Sequence, residues 1–265
     1  MKHSEETVRA AVRQRYAATA TEKTTGCCNG TGSGGETGGT GSGSCCNAGY
    51  DLSQLEMIPS GSELGLGCGN PTVAAAPRPG ETVLDLGSGA GVDCFLAAEK
   101  VGPQGRVIGV DMTPEMVDRA RANAQSGGYT HVEFRLGEIE ALPVADASVD
   151  LIISNCVINL SPTKDRVFAE ALRVLKPGGR LVVSDIVAER APTEEERADM
   201  TLYSACVSGA EPVAEVHRLL TDAGFTDVAI TQASTPFDWR NSGGRSTDGV
   251  VTVYSATIQG VRPLS

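Results

Sequence analysis

The stretch Val83-Leu84-Asp85-Leu86-Gly87-Ser88-Gly89-Ala90-Gly91 limits this chain to few architectures. A short apolar run passes into a glycine turn and then into a helical pattern over 92–101, with Phe95, Leu96 and Ala98 facing inward. Glycines let a backbone approach a ligand closely. The dinucleotide fingerprint G-x-G-x-x-G would place its third glycine at position 92, but Val92 stands there and the glycines fall at 87, 89 and 91. A second apolar strand over 106–110 is closed by Asp111, 20 residues after Gly91. A carboxylate at that point can accept both hydroxyls of a ribose.

The alternation continues downstream. Thr113 can cap a helix that opens on Pro114 and runs to 126. Strands follow over 131–136 and 149–154, then a helix over 163–175 stopped by Lys176-Pro177-Gly178-Gly179, and a strand over 180–187. Helices over 193–208 and 213–223 precede strands over 227–233 and 250–258. Repeated βα units of this length predict an α/β fold with a doubly wound, mostly parallel seven-stranded sheet, whose last two strands can form an antiparallel edge. Upstream, Val8, Val12 and Tyr16 recur at helical spacing and predict a helix over 4–18, with Ser4 as cap. Residues 19–49 are rich in Gly, Thr and Ser and read as a flexible linker. The expected organisation is an N-terminal helix (1–18), the linker (19–49), a cofactor-binding core (50–190) and a C-terminal part that completes the sheet and site (191–265).

A net charge of -11 and a pI near 4.8 disfavour a nucleic-acid partner, which would need a basic patch. No apolar run reaches the roughly 18 residues needed to span a bilayer, and the first residues lack the apolar segment of a signal peptide. A cytoplasmic location is therefore expected, where thiols stay reduced. Eight cysteines in such a chain point to soft-ion or catalytic chemistry before disulfides.

The cysteines fall in distinct settings. Cys68 lies in Glu63-Leu64-Gly65-Leu66-Gly67-Cys68-Gly69-Asn70-Pro71, a loop by its glycines. Cys156 follows the buried run Leu151-Ile152-Ile153-Ser154-Asn155, where ligands sit in open parallel sheets. Cys206 lies in Tyr203-Ser204-Ala205-Cys206-Val207-Ser208-Gly209-Ala210, expected at the end of a helix. Cys94 reads as core packing in the helix after the glycine turn. Cys27-Cys28 and Cys45-Cys46 are vicinal pairs in the linker, suited to soft ions or redox exchange. None of His3, His131 and His217 is placed by the sequence near the end of the fourth strand, so a histidine general base is not expected.

The glycine turn, Asp85, Asp111, Gly137-Glu138-Ile139-Glu140-Ala141-Leu142-Pro143 and the Leu175-to-Gly179 turn together resemble class I S-adenosylmethionine-dependent methyltransferases. The resemblance implies that Asp85, Gly87, Ser88, Gly89 and Gly91 belong to the methyl-donor site and that the glycines line its methionine part. It gives Asp111 the ribose, Met112 the adenine face, Glu138 and Ile139 the adenine border, and Asn155 the flank of the donor methyl. The Cys68 loop, Asn155-Cys156-Val157-Ile158-Asn159-Leu160-Ser161-Pro162 and Ala205-Cys206-Val207-Ser208-Gly209-Ala210 resemble, more specifically, arsenite methyltransferases. That family implies that Cys68, Cys156 and Cys206 hold trivalent arsenic as thiolates beside the sulfonium methyl. Cys156 and Cys206 would suffice for methylarsenite. The expected partners are trivalent arsenic, S-adenosylmethionine and a thiol reductant such as glutathione or thioredoxin, with the protein a monomer. A methyltransferase of a small organic acceptor, or a thiol-based metalloid sensor without catalysis, are the alternatives.

Overall fold

The structure is a computed structural model that describes residues 4–21, 49–204, 206–233 and 251–264. Seven strands form one sheet: β1 (Thr82–Leu86), β2 (Arg106–Asp111), β3 (Val132–Leu136), β4 (Val149–Asn155), β5 (Leu175–Ala188), β6 (Thr226–Gln232) and β7 (Val253–Val261). Their spatial order is β3-β2-β1-β4-β5-β7-β6. β1 to β5 are parallel, whereas β7 runs antiparallel to both β5 and β6. The expected mixed sheet with an antiparallel edge is thus present.

Helices α1 (Glu5–Thr21), α2 (Leu52–Glu56), α3 (Pro71–Ala75), α4 (Val92–Val101), α5 (Pro114–Gly127), α6 (Lys164–Val174), α7 (Glu194–Ala198), α8 (Met200–Ser204) and α9 (Val213–Ala223) surround it. α5 starts on Pro114 and stops where Gly128 turns left-handed at φ 71°. One core lies on the face holding α6 and α9, around Phe168, Leu181 and Leu220; the other lies under α4 and α5, around Phe95, Val107 and Ile153.

Several boundaries differ from the sequence reading. α1 continues through Thr21, three residues into the stretch read as linker, and the rest of that stretch, with both vicinal cysteine pairs, lies outside the described residues. β5 begins at Leu175, which pairs with Val149, but the ladders to β4 and β7 resume only at Arg180; the Lys-Pro-Gly-Gly run read as a stop lies within the strand as an irregularity, with Gly178 at φ 78° and bonded to Arg262 O. The expected helix over 193–208 is two short helices. α7 opens with a capping box between Thr193 and Glu196 and ends before Asp199, whose carboxylate accepts from the Thr201 and Leu202 N–H groups that start α8. Two short helices over 52–56 and 71–75 interrupt a region read as loop; Asn70 caps the second, with Pro71 in its first turn. No helix among the described residues is long and apolar enough to cross a membrane.

From β1 the chain crosses to β2 on one side, while β4 pairs on the other. This is the topological switch point at which a crevice opens beyond the strand ends. Gly87, just past β1, and Val157, just past β4, meet there: a Cβ on Gly87, whose φ is +70°, would stand 2.4 Å from the Val157 side chain. The two turns can close on one another only with glycine at 87.

Candidate active site

A cleft of about 980 Å³, counting its open mouth, occupies the crevice. Its floor is the glycine turn 87–89 with Asp85 and Asp111; α1 covers it with Arg9, Val12 and Tyr16. Val8 and Val12 are buried against Leu160 and Tyr203, with Met112 alongside. Burial of each such side chain contributes about 1.5–3 kcal/mol, so α1 is fixed over the cleft by packing. Arg13 Nη2 bonds Glu138 Oε1 at 3.4 Å, and Arg9 Nε lies 3.6 Å from Glu138 Oε2 and 3.7 Å from Glu140 Oε1.

Asp111 Oδ2 accepts the Gly89 N–H at 3.0 Å and Oδ1 accepts the Thr113 N–H at 2.8 Å, which ties the end of β2 to the glycine turn. Burial raises its carboxyl above the ordinary range, and the two backbone bonds oppose that rise. Ser88 Oγ and Arg9 Nε are buried without a hydrogen-bond partner, on residues that line the cleft. Buried polar groups require partners, so the cleft suits a ligand with hydroxyl, amine or carboxylate groups. Ile139 and Asn155 also line it. Glu138, expected at the adenine border, is instead turned to Arg9 and Arg13, while Glu140 lines the cleft and takes a 2.5 Å bond from Ser161 Oγ.

Beneath the cleft lies a buried polar network. Tyr50 donates to Asp93 Oδ2 at 2.7 Å and Thr72 to Asp93 Oδ1 at 3.1 Å; the Cys94 thiol donates to Asp85 Oδ2 at 3.3 Å. Burial and the facing Asp93 charge push the Asp85 carboxyl well up. Cys94 is fully buried within the core, in keeping with its reading as packing.

Three thiols converge beside this network, although 138 positions separate the first from the last. The Cys68 and Cys156 sulfurs and an Asp185 carboxylate oxygen lie within 4.8 Å of one another. The Cys206 thiol lies next to them, donating to Cys156 O at 3.7 Å. Cys156 has φ 59° and Cys206 φ 65°, left-handed values that cost a non-glycine residue about 1–2 kcal/mol each. The surroundings hold both: the Cys156 N–H donates to Ser184 O at 2.8 Å and the Cys206 N–H to Tyr203 O at 3.0 Å. Cys206 thus sits in a turn past α8, not at a helix end. Through the bond from the Cys206 thiol to Cys156 O, the two strained turns meet at this point.

Burial lifts the Cys68 thiol. A bond from Cys206 pulls Cys156 down, but its bond to Cys68, burial and the Asp185 charge leave it well above the ordinary range. The bond to Cys156, then burial, push Cys206 well up. The free site therefore holds neutral thiols. Asp185 accepts from the Asn159 N–H at 3.1 Å, the Ile186 N–H at 2.7 Å and the Asn159 side-chain amide. Its oxygens are engaged with the turn after Cys156, which leaves a sulfur donor set suited to a soft centre.

Asp185, Tyr50, Asp93 and Glu140 escaped the sequence reading. Asp185 had a signal, as a carboxylate ending the apolar run Leu181-Val182-Val183. Asp93 had a weaker one, as an acid on the inward face of α4. His131 contacts Ala98 O and His217 is exposed on α9, so neither serves the site.

Gly209 lets the Cys206 turn approach the Cys156 turn: a Cβ there would stand 2.0 Å from Asn159 O. Gly209→Ala should separate the two turns and destabilise the protein by about 1–3 kcal/mol, the usual cost of overpacking. Thermal unfolding checks this, and an unchanged midpoint would show that the turns are not held together as described.

Comparisons with known proteins follow this geometry closely. A family model described as "Methyltransferase domain" matches residues 77–224. The arsenite methyltransferase of Halobacterium salinarum is 45% identical over 97% of this chain. The chain belongs to the arsenite methyltransferase family. It spans 67% of that relative's length, and 65% of the length of the Aquipseudomonas alcaligenes arsenite methyltransferase, to which it is 42% identical over 81% of its own. Among solved structures, the crystal structure of an arsenic(III) S-adenosylmethionine methyltransferase from Chlamydomonas reinhardtii matches with a TM-score of 0.65 and 37% identity, covering 81% of this chain and 71% of that one. Family membership agrees with the seven-stranded sheet and the thiol cluster beside its crevice.

Proposed function

We propose that this chain transfers the methyl group of S-adenosylmethionine to trivalent arsenic held by Cys68, Cys156 and Cys206. The observation that carries the proposal is the thiol cluster beside the donor cleft, with Cys156 itself among the cleft residues.

The chemistry follows from the donor set. Arsenous acid and three thiols give three As–S bonds and three waters, so each thiol proton leaves on a displaced hydroxyl. Three thiolates form a pyramid whose remaining lone pair faces away from the sulfurs. That pair forms the As–C bond, the C–S pair stays on the sulfonium sulfur, and no general base is needed. The residues supply alignment, a proximity effect. Arsenic has then given up two electrons. A thiol reductant returns them and ends as a disulfide. With one As–C bond in place only two As–S bonds remain, and Cys156 and Cys206 are assigned to them. Asp111 would hold the ribose, Met112 and Ile139 the adenine, and Ser88 with the glycine turn the methionine part.

Incubation of the protein with arsenite, S-adenosylmethionine and a thiol should yield methylated arsenicals. Donor binding without any such product would overturn the proposal, and activity that survives Cys156→Ser and Cys206→Ser together would favour an organic acceptor. Asp111→Ala should weaken donor binding roughly tenfold to a hundredfold by calorimetry, as expected for losing charge-assisted hydrogen bonds. A change under twofold would place the ribose elsewhere.

The raised thiol pKa values fix a pH signature. Neutral thiols replacing neutral hydroxyls exchange no net protons, so arsenite affinity should stay flat between about pH 6 and 8. A thiolate site would take up protons and bind more weakly as pH rises. Titrations of As–S absorbance at several pH values separate the two, and a clear decline with pH would refute the neutral-thiol assignment.

A further inference from the structure

We propose that Asn155 is a positioning residue that selects for inorganic arsenite by holding Cys68 within reach of Cys156. The inference rests on the functional reading above and goes beyond it in assigning a substrate-selecting role outside the thiols.

Cys68 lies in a loop with glycines at 65, 67 and 69, outside any helix or strand. Fixing such backbone costs about 1–2 kcal/mol per residue, so specific anchors must hold the sulfur in place. Four do. Asn155 Oδ1 accepts the Cys68 N–H at 2.9 Å, and Asn155 Nδ2 donates to Gly69 O at 2.8 Å. Ser255 Oγ on β7 donates to Cys68 O at 2.7 Å, and the Cys68 thiol donates to Ser184 O at 3.5 Å. One amide thus makes two of the four anchors, gripping consecutive residues from both sides. Asn155 is fixed in turn by Tyr50 Oη at 2.8 Å and Asp93 Oδ2 at 3.2 Å, inside the buried network. Only a primary amide provides an acceptor and a donor at such spacing; aspartate would supply acceptors alone.

The other two sulfurs do not depend on this grip. Cys156 is placed by the pairing of its N–H with Ser184 O and Cys206 by its turn onto Tyr203 O. Loss of the Asn155 amide therefore frees Cys68 while the Cys156–Cys206 pair stays supported. Arsenite needs all three sulfurs; methylarsenite needs the pair. Asn155 accordingly controls the first methylation more than the second.

Asn155→Ala should lower kcat/KM for arsenite about thirtyfold more than for methylarsenite, the effect of losing two hydrogen bonds of about 1 kcal/mol each. X-ray absorption of the arsenite complex should count three sulfur neighbours in the wild type and two in the variant. Ser255→Ala removes a single anchor and should show the same preference at smaller size, which guards against misfolding of the first variant. Equal losses on both arsenicals in both variants, or three sulfur neighbours retained in Asn155→Ala, would overturn this inference and leave the functional reading intact. A wild-type protein that methylates neither arsenical would overturn both.

Discussion

Replacing Cys156 with serine is expected to abolish methylation of arsenite and methylarsenite alike, by roughly a hundredfold or more in kcat/KM, about 2.7 kcal/mol in the barrier. Cys156 is the shared member of the cluster: its sulfur lies within 4.8 Å of that of Cys68, its carbonyl accepts from the Cys206 thiol, it is the most buried of the three, and it lines the donor cleft. Without its sulfur the remaining two thiols lose their common neighbour, so arsenic cannot be held by either pairing. Serine is close in size and can keep the N–H bond to Ser184 O, so the fold should survive. An oxygen ligand would exchange with water instead of holding a soft centre. The assay is product formation from both arsenicals beside a melting curve. A folded variant that still methylates methylarsenite would remove Cys156 from its assigned role.

The second large effect is selective. Cys68→Ser should lose arsenite methylation to a similar extent while retaining methylarsenite methylation within a fewfold. Cys68 is carried by an irregular loop, apart from the turns past β4 and past α8 that carry the other two cysteines. Its sulfur completes the pyramid for arsenite, but a methylated arsenic already has one carbon in place of one sulfur. Parallel assays on the two substrates settle the matter, and equal loss on both would contradict the division of labour among the thiols.

Much of this site was legible in the sequence because it is built at strand ends. β1 through α4 was readable to the residue, since a continuous apolar strand, a glycine turn and an inward stripe leave little freedom. The position of Asp111 followed from the same unit. The three thiols could be named singly, yet their convergence depends on β1, β4 and β5 lying side by side and on a turn past α8 folding back over them. Local propensity carries no such information. The break at Asp199 was missed because no glycine or proline interrupts 193–208; what divides it is the Asp199 carboxylate accepting the N–H groups of a new helix start. The Lys-Pro-Gly-Gly run read as a stop because turn residues dominate a local view, and the ladders do skip it; the backbone of Arg262, just past β7, bonds Gly178 and Gly179. The left-handed backbone at Cys156 and Cys206 was invisible for the opposite reason: nothing in a cysteine's own chemistry favours φ near +60°, and only the tertiary contacts impose it.

The central claim is that one trivalent arsenic binds all three sulfurs beside the donor cleft. An anomalous difference map at the arsenic edge, from crystals soaked with arsenite, tests it directly. A single strong peak bonded to the sulfurs of Cys68, Cys156 and Cys206 is expected. A peak elsewhere on the protein, or one bonded to fewer than three of these sulfurs, would contradict it.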